Sequence, residues 1–276
     1  MDPESEFQPP EPVLEATPEP AAPEPEPPPP PPPEQGWTYA DVGIVIVFAL
    51  GAQVVIFLLG LLVMLLFQQA RGRTFGYDEA VRNVTFLLPV QTAWWLVVFW
   101  LVRKIVRARD PRPFWVAIRW IRPARPFTYY LSGGVLLALS VAGLAALLPT
   151  PQRHLPIEEL FKDPISGFLL AGFGVLIAPV VEELLFRGFF FPVIARVHGT
   201  AAGVGGTALL FAAVHAQQYG GAWQNLLLLG YVGVVFGLVR AVSGSVAPCV
   251  LLHAGYNLTL FASLYAGSKG FHQFNF

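Results

Sequence analysis

Between Val42 and Phe67 the chain runs without one charged residue. A helix needs roughly 20 mainly apolar residues to cross about 30 Å of hydrocarbon, so a run of this length reads as a membrane span and not as a buried helix of a soluble core. Nothing upstream of it is basic, and it is too long for the apolar part of an export signal, so the span is expected to be retained. Six further apolar segments follow, at approximately 84–102, 128–148, 167–195, 202–218, 225–242 and 246–266. The composition agrees, with 54% hydrophobic and only 13% charged residues. The expected fold is all-α, a polytopic transmembrane helix bundle of about seven spans.

Charge divides the chain into two parts. Residues 1–36 hold nine of the 18 acids, no Lys or Arg, and the unbroken run Pro27 to Pro33. With too little apolar surface to offset the entropy of ordering, they read as a disordered Pro/Glu-rich tail, its proline run a stiff polyproline II spacer. Residues 37–276 form the transmembrane helical domain and carry 17 basic against 9 acidic residues, a balance of +8. In so apolar a chain that excess points to anionic lipid headgroups and not to nucleic acid. Arg103, Lys104, Arg107, Arg109, Arg112, Arg119, Arg122 and Arg125 crowd one connection against the single acid Asp110, a positive-inside signal that makes this loop cytoplasmic. Counting spans from it predicts a cytoplasmic N-terminus, an outside C-terminus, and Arg196 and Arg240 on the cytoplasmic side. Within the same connection, aromatic and aliphatic residues alternate with arginines from Pro113 to Arg125, which suggests an interfacial amphipathic helix. The lone cysteine, Cys249, cannot form an intrachain disulfide and reads as a small buried residue.

Chemistry concentrates at Glu182 and Glu183, the two carboxylates set inside the longest apolar run. An ionisable group at mid-bilayer costs roughly 2.5–3.5 kcal/mol even on mild scales, so both should face a polar interior and have partners. On a helix Glu183 and Arg187 stand at i and i+4 and can pair, while Glu182 points about 100° away. The two acids should therefore differ in role, Glu183 held ionised by Arg187 and Glu182 available as a general base. Taken alone, the three residues could equally be a structural ion cluster. His215, one turn after Phe211, and His253, one turn before Asn257, lie on two other apolar segments and could converge with Glu182 at one depth. Together they supply what peptide hydrolysis requires, with Glu182 and His215 to activate water and His253 and Asn257 to stabilise the oxyanion.

In this respect the sequence resembles the CPBP family of intramembrane proteases, which includes type II CAAX prenyl proteases and bacteriocin-processing or immunity proteins. Three motifs stand in order: EExxxR from Glu182 to Arg187, FxxxH from Phe211 to His215, and HxxxN from His253 to Asn257. The resemblance covers about residues 165–262 and leaves the tail and first two spans unexplained. It implies that Glu182 and His215 activate water, that His253 and Asn257 stabilise the transition state, and that the substrate is a membrane-associated peptide or protein, lipidated or not.

Other readings stay open. Glu182, His215 and His253 could ligate zinc or another divalent ion, although a metal-free site is favoured because the chain lacks an HExxH helix and every motif residue already has a role. A non-catalytic scaffold or immunity protein would keep the same fold. An ion-coupled transporter is also consistent with buried carboxylates and histidines, but the apolar segments show no convincing inverted repeat.

Overall fold

The computed structural model describes residues 36–74, 76–149, 156–161 and 163–273. The expected disordered tail lies, apart from Gly36, outside the described residues. Residues Gln35–Phe276 form one compact unit. Its main helices are α1 (Tyr39–Ala70), α2 (Val84–Arg109), α3 (Phe127–Leu147), α4 (Pro164–His198), α5 (Thr200–Val214), α6 (Trp223–Ser243) and α7 (Ala247–Gly267).

All of them but α5 are long and apolar enough to cross a membrane. With 15 residues, α5 extends only about 22 Å at roughly 1.5 Å per residue, short of the hydrocarbon thickness. The fifth expected segment, 202–218, is thus a short helix that ends at Val214, with His215 as its C-cap and a turn following.

The expected amphipathic helix over Pro113–Arg125 is also absent in that form. One helical turn, Phe114–Ala117, buries Phe114 and Ala117, and Ile118 follows them into the main core. Arg119 then takes the left-handed backbone region at φ 63°, which breaks the helix. Its Nε donates to the Gly244 carbonyl at 2.8 Å, tying this arm to the α6–α7 connection.

Packing is most extensive between α7 and α3 and between α6 and α5, while α1 rests mainly on α2. The α3–α7 crossing is close because a Cβ at Gly134 would overlap the Leu252 carbonyl, and one at Gly255 the Leu131 carbonyl. Only 11% of the most apolar window of α1 is buried, so the rest of that window faces outward as a lipid-facing helix would. Asp41 in its first turn accepts from Arg109 at the end of α2, at 3.0 and 3.2 Å, so each charge sits at the helix end whose dipole favours it.

α4 carries the acidic pair and is not uniform. Two π-helical stretches, Phe173–Ile177 and Leu184–Phe190, flank the α-helical turn Ala178–Glu183. The residue that caps each stretch, Ala178 or Phe191, is followed by proline. Ala178 donates to Phe173 O and Phe191 to Phe186 O, both five residues back. The next donors in that register would be residues 179 and 192, and Pro179 and Pro192 have no N–H. Gly174 O and Arg187 O are left to find donors elsewhere, since a buried carbonyl without one costs about 1–3 kcal/mol.

Candidate active site

The centre of the site is the α-helical turn between the two wide stretches of α4. Glu183 is fully buried, and its Oε1 accepts from Arg187 Nη1 at 3.1 Å, as the i, i+4 spacing predicts. The same oxygen accepts from His253 Nδ1 on α7 at 3.0 Å. Arg187, also fully buried, donates through Nη2 to Gly233 O on α6 at 2.8 Å. Glycine at 233 also lets α6 pack closely on α5, because a Cβ there would stand 2.8 Å from Ala208 Cα. The guanidinium lies 5.2 Å from the ring centres of both Phe211 and Phe236 and 5.7 Å from that of Phe186.

Glu182 is placed differently. Its side chain is 18% exposed, and Oε2 lies 3.9 Å from His215 Nε2 and 3.9 Å from His253 Nε2. These are ion-pair distances and not hydrogen bonds. The outer nitrogen of each imidazole is committed, His215 Nδ1 donating to Phe211 O at 2.7 Å and His253 Nδ1 to Glu183. In the neutral rings each Nε2 therefore keeps a lone pair, and both turn toward Glu182. Phe211 is the floor between them, its ring 4.6 Å from the His215 ring and 5.8 Å from that of His253.

The structure thus brings Glu182, Glu183, Arg187, Phe211, His215 and His253 together from three helices. Asn257 stands one turn beyond His253 on α7, but its Nδ2 donates to Gly174 O at 2.7 Å, the carbonyl that Pro179 leaves without a donor. Sequence reasoning missed four participants: Gly174, Gly233, Phe236, and Arg240, whose Nε donates to Arg187 O at 3.0 Å. It also missed Tyr219 in the turn after His215, where burial first and the Glu182 charge after it push the phenol's pKa up. Two zinc ligands about 2.0–2.1 Å from the ion would sit about 3.4 Å apart in tetrahedral geometry. The 3.9 Å separations exceed that, and among the described residues no group of three His, Cys, Asp or Glu is placed to hold a metal.

Residues 164–259 match a family model, type II CAAX prenyl endopeptidase Rce1-like. No curated protein and no solved structure matches the chain. The match spans all three motifs and the whole cluster built above. Over residues 164–259 the chain is therefore similar to the type II CAAX prenyl endopeptidase Rce1-like family, the CAAX-protease relationship that its ordered motifs resemble.

Proposed function

We propose that the protein is an intramembrane endopeptidase in which Glu182 and His215 activate water without a metal. The observation that carries this reading is Glu182 itself: partly exposed, free of hydrogen bonds among the described residues, and faced by two imidazole Nε2 atoms at 3.9 Å. A water oxygen at about 2.8 Å from Oε2 and from either Nε2 fits between such partners. The carboxylate takes one proton of the water, oriented by the imidazole, as its oxygen attacks the scissile carbonyl; Glu182 then returns that proton to the amide nitrogen as the C–N bond breaks, releasing a carboxylate and an amine. His253 is backed by Glu183 much as a triad histidine is backed by its carboxylate, so the imidazolium formed when Nε2 takes up a proton from solvent is stabilised, and its Nε2–H donates to the oxyanion. Asn257 is the second candidate donor.

The substrate in this reading is a peptide segment at the membrane, lipidated or not. The basic connection from Arg103 to Arg125 meets anionic headgroups on the cytoplasmic side, which also holds the N-terminus.

The test compares membrane proteomes of cells carrying wild type and Glu182→Gln for new peptide termini, followed by cleavage of the identified peptide by purified protein with and without a strong chelator. Termini lost in the variant and made equally well with chelator present support the reading. Identical termini in both strains refute catalysis. If Arg187→Ala then abolishes the cellular phenotype and Glu182→Gln leaves it, the fold acts as a scaffold.

A further inference from the structure

We infer that Arg240 is a positioning residue for the acidic pair, because it supplies the hydrogen bond that Pro192 removes from the helix carrying Glu183 and Arg187. This rests on the hydrolytic reading of the site for its activity readout, but not for its structural one.

Arg240 stands in the last turn of α6 and is only 6% exposed. Its Nε donates to Arg187 O at 3.0 Å, and its guanidinium lies 5.2 Å from the Phe191 ring centre. Arg187 O is the carbonyl whose next donor in the i to i−5 register would be residue 192, a proline. One residue thus has its two ends held by one helix: α6 accepts from the Arg187 side chain at Gly233 O and donates to its backbone through Arg240. Gly233 and Arg240 are seven residues apart and so lie on the same face of α6.

The consequence runs toward His253. Arg187 Nη1 and His253 Nδ1 share Glu183 Oε1, so a backbone shift at Arg187 moves the acceptor that orients the His253 ring. Displacement of a reacting group by about 1 Å can cost 10²-fold in rate. Arg240 meets Arg187 O and the Phe191 ring, not Glu182 or the two Nε2 atoms, so its part is to hold the backbone and not to react.

The prediction is an epistasis between two helices. Arg240→Met removes the donor while keeping much of the side-chain volume, and is expected to lower kcat about 10- to 100-fold with KM little changed. Pro192→Ala restores a backbone N–H facing Arg187 O. In that background the same Arg240→Met change should cost less than about 3-fold, because the helix then caps its own carbonyl. A role limited to bulk or charge would leave the double variant as impaired as Arg240→Met.

Hydrogen exchange over the tryptic or peptic peptides spanning 184–198 supplies a readout independent of catalysis. Faster exchange there in Arg240→Met, reversed by Pro192→Ala, supports the proposal. Lack of reversal, including a double variant that folds no better than the single one, overturns it. If wild type cleaves nothing while the exchange pattern follows this order, the protease reading fails and the positioning role of Arg240 stands.

Discussion

Removing charge from Glu183 and from Glu182 should have opposite consequences, and the geometry gives the size of the contrast. Glu183→Gln keeps the shape but leaves Arg187, 0% exposed, without its counter-ion and His253 Nδ1 without a charged acceptor. Breaking one side of a buried pair typically costs about 3–5 kcal/mol. Gly233 O and the three aromatic rings around the guanidinium remain, so the lower end, about 3 kcal/mol, is expected. Arg187→Met should cost about as much by leaving Glu183 buried and charged. The double variant removes both charges and should be less destabilised than the two single changes combined by about 2–3 kcal/mol. Glu182→Gln, by contrast, breaks no hydrogen bond among the described residues and should lie within about 1 kcal/mol of wild type while abolishing cleavage. Reversible unfolding in mixed micelles, followed by tryptophan fluorescence, measures all four variants. Additive single effects at Glu183 and Arg187, or a Glu182→Gln loss as large as that of Glu183→Gln, would refute this division of labour.

The two histidines should separate in the same way: His215→Ala and His253→Ala each lower cleavage about 10²- to 10⁴-fold, but His253→Ala lowers stability more, since it loses a buried bond to Glu183 where His215 loses a part-buried one to Phe211 O. Asn257→Ala distinguishes a cap from an oxyanion donor: if its only task is to bond Gly174 O, Pro179→Ala should restore activity to the double variant, and if it binds the oxyanion, cleavage should stay low in either background. Outside the membrane spans, the Arg112 side-chain hydrogen bond holds the Asp110 carboxyl below its usual range. That contribution is present above about pH 4 and is lost as pH falls through the depressed folded value. Thermal unfolding should therefore show Asp110→Asn losing less stability than wild type on acidification, by about 1 kcal/mol at most because Arg112 is half exposed.

What the sequence makes legible here is local or chemical. The i, i+4 spacing of Glu183 and Arg187 becomes a 3.1 Å contact, and the angular divergence of the two acids becomes one sealed and one accessible carboxylate. The meeting of His215 and His253 at Glu182 follows from polar groups stranded in apolar helices, which must find one another. The Glu183–His253 bond joins residues 70 apart in the chain and leaves no periodic trace. The reach of α5 was misjudged because apolar residues run up to His215, whereas the helix stops where its cap turns inward to face α4. Arg240 was read only for its side of the membrane, and its burial and its bond to Arg187 O went unseen. The signal that could have found it was Pro192: a proline within an apolar helix leaves a carbonyl unpaired, and a buried arginine on a neighbouring helix is a donor that can meet it.

The same accounting separates a working site from a structural ion cluster. Glu183, Arg187 and His253 already link α4, α6 and α7 through hydrogen bonds of 2.8–3.1 Å. None of those hydrogen bonds involves position 182, so an alanine there would leave them in place. Glu182 adds a carboxylate to an apolar helix at a cost of roughly 2.5–3.5 kcal/mol and recovers no hydrogen bond from the described residues for it. A group that weakens the fold without bonding to it is explained by what it does to a third molecule. The lone pairs at His215 Nε2 and His253 Nε2, directed to the same oxygen, describe that molecule as one with protons to give.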